Sequence, residues 1–315
     1  MFVWLCFAAS LSRELEERSD ERGALLKIGF TSDWEYGYRD KIAHKLTNQA
    51  PVLLQEAVRF YNEELQPAFI VAGGDYIEGS SVSKTRAQAQ LSEIIAVFRQ
   101  VRAPHVFALG NHDLRALSKE EAKAILGQEE AHAVRDIGDW RLVVFDTNFN
   151  KNDDSDRGDA DYTKGYVSRA ELAWLDAALE TDRPTIVFSH HSPLPTIAGD
   201  KDESFTENLS NGHAVRTLLE RHPNVLFSVA GHTPRPQYKE ISGVHYFVSD
   251  TLVNASSLGS FSAIELRYNP FSKKGTILFE HYGQDRQTYR AEAWTIKSHL
   301  ANWWRMTKIV FSEKF

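Results

Sequence analysis

Residues that can bind metal ions or phosphate follow five apolar segments of this sequence. Asp33, Asp75 and Asn111 follow the first three segments, and His190 and His232 follow two later ones. Each segment has the length and composition of a buried β-strand. In open α/β sheets, ligands bind beyond the carboxyl ends of the strands. The spacing therefore predicts a metal site at one edge of a sheet.

Further polar residues accompany these strand ends. Glu35 lies two residues after Asp33, and His112 and Asp113 complete the stretch "GNHD". His191 directly follows His190, so either histidine is a candidate ligand. A lone histidine is more often packed in a core or on a surface, but so many strand ends carrying Asp, Asn or His favour a shared site.

Other catalytic arrangements are excluded by their missing motifs. The sequence has no G-x-x-x-x-G-K-S/T loop, no G-x-G-x-x-G after a strand and no G-x-S-x-G nucleophile elbow. Ser189 stands beside His190, but neighbouring residues on a strand point to opposite faces. A serine nucleophile is therefore not expected.

Composition narrows the class of partner. The 315 residues carry a formal net charge of −7 without a dense Lys/Arg stripe, so nucleic-acid binding is not expected. A small phosphorylated substrate remains compatible, because metal ions can supply local positive charge. The single cysteine, Cys6, excludes an internal disulfide and a cysteine zinc cluster.

The alternation of apolar runs and amphipathic stretches predicts an α/β domain over residues 26–285. Helices are predicted at 52–65 and 84–101, and several antiparallel strands at 238–282. Two capping boxes mark further helix starts, Ser118 with Glu121 and Ser168 with Glu171. Residues 1–25 are predicted to be an N-terminal tail, and residues 286–315 a C-terminal extension.

The N-terminal stretch "MFVWLCFAAS" is apolar but too short to span a membrane. It also lacks the positively charged start of a signal peptide. A cytoplasmic location is favoured, with export by a shortened signal segment as the alternative. The oligomeric state stays open.

In their order along the chain, these segments resemble the calcineurin-like metallophosphoesterase family, from about Lys27 to Tyr282. The stretch "GNHD" is the most specific, and "GGDYIEG", "FSHHSP" and "AGH" complete the series. Within the family the chain is most similar to the manganese-dependent ADP-ribose/CDP-alcohol diphosphatases, through "LLQEAVRFYN", "VFRQVRAPHVFALGNHD" and "NVLFSVAGH". The resemblance implies two packed mixed β-sheets flanked by helices, a four-layer sandwich.

The resemblance also implies two divalent metal ions that share one aspartate, Asp75. His112 would contact the substrate phosphate or the leaving oxygen, and Asp113 would hold His112 by a hydrogen bond. The second ion would take Asn111, His190 and His232 as further ligands, and the first ion would take Asp33 and Glu35.

Two departures from the family pattern affect residues that would bind the first ion. The family's Asp-x-His motif here reads Asp33-Trp34-Glu35, and its Gly-His-x-His motif ends in Pro234. The diphosphatases that the chain resembles also lack the first histidine, with a glutamine there. We therefore expect a weak or empty first site. Mn²⁺ is the expected metal, with Fe²⁺, Zn²⁺ and Mg²⁺ as alternatives.

The function expected from this resemblance is metal-dependent hydrolysis of a small phosphodiester or pyrophosphate by activated water. A nucleoside diphosphate derivative is the leading substrate class. One alternative is a phosphomonoesterase or cyclic-nucleotide phosphodiesterase. The alternative from another class is a catalytically weak phosphate-binding or scaffold protein with a degenerate first metal site.

Overall fold

The structure is a computed structural model that describes residues 23–150, 164–194, 209–234, 236–283 and 286–294. The predicted N-terminal tail, apart from its last residues, and most of the C-terminal extension lie outside these ranges. None of the helices in these ranges has both the length and the apolar character needed to cross a membrane.

The first sheet combines three parallel strands with an antiparallel meander, in the order β12-β11-β10-β1-β2-β3. β1 pairs in parallel with β2, and β2 with β3, whereas β10 pairs with the other edge of β1 in antiparallel orientation. Its strands are β1 (Leu25–Thr31), β2 (Phe69–Ala72), β3 (His105–Phe107), β10 (Phe261–Asn269), β11 (Lys274–Tyr282) and β12 (Gln287–Trp294).

The second sheet has four parallel strands at its centre, in the order β4-β5-β6-β7-β9-β8. The strands predicted within 238–282 are therefore not all antiparallel, because β9 pairs in parallel with β7. The strands are β4 (Ala133–Ile137), β5 (Trp140–Val144), β6 (Thr185–Ser189), β7 (Val225–Ala230), β8 (Gln237–Ile241) and β9 (Val244–Val248).

Helices cover the outer faces of both sheets. A π-helical turn, Tyr61–Leu65, continues the first α-helix to the end of the predicted 52–65 segment. The α-helices are α1 (Ala50–Phe60), α2 (Lys84–Phe98), α3 (Lys119–Leu126), α4 (Arg169–Leu179) and α5 (Gly212–Arg221).

Three apolar clusters hold these layers together. Alternate residues of β1, such as Ile28 and Phe30, pack between the two sheets, where the Phe30 ring lies 5.9 Å from Phe188. A second cluster joins the first sheet to α1, α2 and α3, and a third joins the second sheet to α4 and α5. The architecture is the predicted pair of mixed sheets flanked by helices.

Local details refine two sequence predictions. The capping box at Ser118 is present in full, but at Ser168 only the serine caps the helix. The carboxylate of Glu171 instead accepts a hydrogen bond from the Asp146 amide at 2.9 Å and contacts His132. Strand β12 also lies beyond residue 285, where the predicted domain ends; the domain limits otherwise stay predictions.

Candidate active site

The strand ends of both sheets meet at one edge of the sandwich, and their backbone there is strained. Asp33, Glu35, Asp75 and His232 have φ angles of 55°, 43°, 56° and 70°. Residues with a Cβ rarely adopt positive φ, at a cost of about 1–3 kcal/mol. Cross-strand hydrogen bonds hold this conformation: the Glu35 amide donates to the carbonyl of Asp75 at 2.8 Å. The tight turns aim these side chains toward one another.

Two glycines allow the ends of β2 and β3 to approach closely. Gly74 has a φ of +95°, and a Cβ there would meet the backbone of Gly110. A Cβ on Gly110 would in turn overlap the backbone and carboxylate of Asp75. The "GGD" and "GNHD" stretches therefore need glycine for packing, independently of any chemistry.

The Nε2 atom of His190 is the point on which the predicted ligands of the second ion converge. It lies 3.0 Å from Asn111 Oδ1, 3.2 Å from Asp75 Oδ2 and 3.2 Å from His232 Nδ1. All four side chains are buried. Adjacent ligands of one ion with bonds of about 2.1 Å stand about 3 Å apart, so these separations suit a shared cation.

The second nitrogen of His190 fixes the ring. Its Nδ1–H donates to the carbonyl of Gly73 at 2.8 Å, a contact typical of metal-binding histidines. Burial acts to lower the pKa of His190, but the carboxylates of Asp75 and Asp33 raise it to about 9. The cluster thus favours positive charge at Nε2, which a divalent cation also supplies. One carboxylate, one amide oxygen and two imidazoles fit Mn²⁺, Fe²⁺ or Zn²⁺.

The opposite side of the site, around Glu35, contains a lysine. Lys45 Nζ forms an ion pair with Glu35 Oε1 and lies 3.4 Å from Glu78 Oε2. Glu35 is only 3% exposed, and its Oε2 atom has no hydrogen-bond partner among the residues that the structure describes. Potential ligand atoms of Glu35, Asp75 and His112 lie within 4.8 Å of one another on this side. The Lys45 ammonium already pairs with Glu35, however, and the first motif supplies no histidine, so this side fits the first divalent ion less well than the His190 side fits the second.

Burial makes the carboxylate cluster electrostatically costly. Desolvation raises the pKa of Asp33 to about 7, with the charge of His190 acting against it and those of Asp75 and Glu35 adding to it. Burial also acts to raise the pKa of Asp75, but His190 and His112 hold it well below its ordinary value. Several carboxyl groups in one buried volume therefore require cationic partners.

His112 is oriented by Glu78. Its Nδ1 lies 2.8 Å from Glu78 Oε2, 2.9 Å from the carbonyl of the same residue and 2.8 Å from Arg115 Nη1. Its Nε2 faces the site, 3.7 Å from Glu35 Oε1 and 3.9 Å from Asp75 Oδ2. Burial acts to lower the pKa of His112, but the charges of Asp75 and Glu78 raise it. Burial likewise acts to raise the pKa of Glu78, yet His112 and Lys45 lower it to about 2.

The predicted hydrogen bond from Asp113 to His112 is wrong for the residues described. The Asp113 carboxylate instead accepts hydrogen bonds from the backbone amides of Asp75, Tyr76, Ile77 and Gly110, at 2.8–3.2 Å. Burial raises the pKa of Asp113 to about 7, with the charge of Asp75 adding to the effect. Asp113 thus holds the β2 turn, and Glu78 takes the place predicted for it beside His112.

Replacing Asp113 by alanine should destabilise the fold. The change leaves four buried amides without their acceptor. We expect the free energy of unfolding, measured in urea, to fall by about 3 kcal/mol, because a buried donor left without an acceptor costs about 1–3 kcal/mol. The exposed Asp182→Ala is the control. An Asp113→Ala protein as stable as the wild type would contradict this role.

Two further residues singled out by the sequence have clear positions. The His191 ring lies 4.3 Å from that of His232, and its Nδ1 is 2.8 Å from Thr147 Oγ1. Of the two adjacent histidines, His190 is thus the one whose Nε2 faces Asp75. Pro234 is half-buried, and its carbonyl accepts a hydrogen bond from Asn254 at 3.4 Å.

Lys45 and Glu78 are the site residues that the sequence alone did not indicate. Glu78 lies three residues after Asp75, within "GGDYIEG", so its proximity was the available signal. Lys45 belongs to an irregular stretch without hydrophobic periodicity, and no pattern in the sequence distinguishes it from the exposed Lys41.

Comparison with known proteins agrees with this geometry. Residues 26–236 match the calcineurin-like phosphoesterase family. The chain therefore belongs to that family, whose members are hydrolases of phosphoric esters that use divalent metal ions. The resemblance noted in the sequence is confirmed.

Among curated proteins, the chain is 29% identical over 174 residues to the glycerophosphodiester phosphodiesterase GpdQ of Enterobacter lignolyticus, covering 53% of this chain and 56% of that one. It is 23% identical over 267 residues to the manganese-dependent ADP-ribose/CDP-alcohol diphosphatase of Arabidopsis thaliana, covering 71% and 84%. It spans only about half the length of the first two curated relatives, GpdQ and a Nostoc cyclic-nucleotide phosphodiesterase (56% and 48%).

Solved structures support the fold. A dimetal phosphatase from Danio rerio superposes with a TM-score of 0.67 at 16% identity, covering 84% of this chain and 98% of that one. GAP50 of Plasmodium superposes with a TM-score of 0.56 at 12% identity, covering 88% and 94%. The fold is that of the metallophosphoesterases.

Proposed function

We propose that the protein hydrolyses a small phosphodiester or pyrophosphate, with a nucleoside diphosphate derivative as the leading substrate class and Mn²⁺ as the metal. The observation that carries this proposal is the convergence of Asp75, Asn111 and His232 on the Nε2 atom of His190. The similarity to phosphodiesterases and to the Arabidopsis diphosphatase supports the substrate class.

The four converging residues would hold the cation from both sheets. When bound, it would supply positive charge for a phosphoryl oxygen and make a water molecule more acidic. Within the described ranges the buried Glu35 Oε2 has no hydrogen-bond donor, so it would be able to accept a hydrogen bond from the attacking water or a substrate hydroxyl. Asp33 Oδ2 accepts the His232 amide at 2.9 Å and so keeps the histidine turn against the first sheet.

His112 is placed to give a proton to the leaving oxygen. Its Nδ1 is held by Glu78, which leaves Nε2 directed into the site. Burial acts to lower the pKa of His112, but the charge of Asp75 and the hydrogen bond to Glu78 raise it, which is the direction that a general acid needs. Lys45, paired with Glu35, would add a positive charge on this side of the site.

The alternatives differ in substrate and in turnover. A phosphomonoesterase would prefer p-nitrophenyl phosphate, and a cyclic-nucleotide phosphodiesterase would prefer a cyclic nucleotide; relatives of the latter kind are also found. A phosphate-binding or scaffold protein would bind metal or phosphate without turnover. The departures at Glu35 and Pro234 are the observations that favour this last alternative.

The test is metal analysis followed by hydrolysis assays. We expect purified protein to contain a divalent metal and, with added Mn²⁺, to hydrolyse bis-p-nitrophenyl phosphate and ADP-ribose faster than p-nitrophenyl phosphate or cyclic AMP. A metal chelator should abolish turnover and re-addition of Mn²⁺ should restore it. Protein that binds no metal and turns over nothing with any ion would exclude an enzyme.

A further inference from the structure

We propose that Lys45 takes the place of the first metal ion, so that this chain binds a single divalent cation and uses the lysine ammonium for the remaining positive charge. The inference rests on the proposed function, because it concerns the same site. It assigns to Lys45 a positioning and charge-supplying role that no motif in the sequence indicates.

The contacts of Lys45 carry the proposal. Its Nζ pairs with Glu35 Oε1 and lies 3.4 Å from Glu78 Oε2. The lysine side chain is 13% exposed, and the two glutamates are 3% and 6% exposed. Glu35, Asp33 and the shared Asp75 are the ligands that the family resemblance gives to a first ion, so the ammonium lies against a carboxylate that such an ion would need.

The backbone around Lys45 is also built into the fold. Lys45 forms an antiparallel bridge with Asn254, the Leu46 amide donates to Val253 and the Ala255 amide donates to His44, the last two at 2.9 Å. The backbone of Lys45 is thus held against the segment after β9, and its side chain is only 13% exposed. These backbone contacts keep the Lys45 ammonium beside Glu35.

Electrostatics makes the lysine and a first ion competitors. Two positive charges on one carboxylate a few ångströms apart repel strongly in a buried site. The site of the first ion also lacks the two histidines that the family pattern supplies, because Glu35 and Pro234 stand in their places. A lysine ammonium needs no such nitrogen ligands, since it donates three hydrogen bonds to oxygen acceptors. Glu35 and Glu78 are two acceptors of that kind.

The experiment counts bound Mn²⁺. Metal-free wild type, Lys45→Met and the exposed neighbour Lys41→Met are titrated with Mn²⁺ by calorimetry and analysed by plasma mass spectrometry. We expect one tightly bound ion per chain in wild type and Lys41→Met. In Lys45→Met we expect a second ion, bound roughly tenfold tighter or more than any second ion of the wild type. Electron paramagnetic resonance should show isolated Mn²⁺ in wild type and a coupled pair in the variant.

The outcomes separate the two proposals. Two tightly bound ions in wild type, or a single ion in Lys45→Met, would overturn the role of Lys45 while leaving the phosphoesterase proposal intact. No bound metal in any of the proteins would overturn the phosphoesterase proposal and, with it, this one. Lys45→Gln is made in parallel, and circular dichroism of each variant checks folding. If Lys45→Met does not fold, the count in Lys45→Gln decides.

Discussion

Replacing Asp75 by asparagine is expected to remove the bound divalent ion and to lower kcat by about three orders of magnitude or more. Asp75 Oδ2 lies 3.2 Å from His190 Nε2, and its Oδ1 accepts the amide of His112 at 2.7 Å. The amide replacement loses the negative charge while keeping the size of the side chain. A loss of several kcal/mol of transition-state stabilisation corresponds to this factor.

The measurement for Asp75→Asn pairs metal content with kcat on bis-p-nitrophenyl phosphate. Asp139→Asn, an exposed residue in the turn between β4 and β5, makes the same chemical change away from the site and should behave as wild type. Circular dichroism confirms that both variants fold. Full metal content and unchanged turnover in Asp75→Asn would mean that the ion is bound elsewhere.

Replacing His112 by glutamine is expected to lower kcat by about 10²–10⁴-fold without changing the metal content. The range is that of a lost general acid. The reduction should be larger for an alkyl phosphodiester than for a p-nitrophenyl ester, because p-nitrophenolate leaves without protonation. This dependence on the leaving group separates a proton donor from a residue that only shapes the site.

The His112 experiment can also fail in an informative way. His112, Glu35 and Asp75 have potential ligand atoms within 4.8 Å of one another, so the histidine could itself bind a metal. Loss of an ion in His112→Gln would show this and would contradict the general-acid role. His213→Gln, an exposed change on α5, is the matched control and should keep both activity and metal.

The positions of the candidate ligands could be predicted from the sequence because each follows a buried apolar strand. A strand such as β6, in which every residue is buried, is visible as a continuous apolar run. Parallel strands of one sheet place their carboxyl ends at the same edge, which accounts for the proximity of Asp75 and Asn111. His190 follows a strand of the second sheet, so its position beside them does not follow from this rule. The two-sheet architecture came from the resemblance, since apolar runs alone do not say which strands share a sheet.

The side-chain contacts of Lys45, Asp113 and Glu78 in the site could not be predicted from strand patterns. Lys45 approaches Glu35 because backbone bridges to the segment after β9 fix its stretch of chain, and such long-range pairing leaves no local pattern. Asp113 was expected to hold His112 because the resemblance to the family implied that hydrogen bond. The turn directs its carboxylate to backbone amides instead, and Glu78 comes to His112 from another loop. Side-chain direction in irregular segments depends on φ angles that sequence patterns do not specify.

The convergence of both sheets on His190 has a consequence for unfolding. Asp75 and Asn111 come from the first sheet, whereas His190 and His232 come from the second. A cation bound by all four residues would crosslink the two sheets. Its binding free energy would then stabilise the folded state against separation of the sheets. Amide hydrogen exchange at the ends of β2 and β6 should then slow when Mn²⁺ is added, whereas the far edge strand β12 should exchange unchanged.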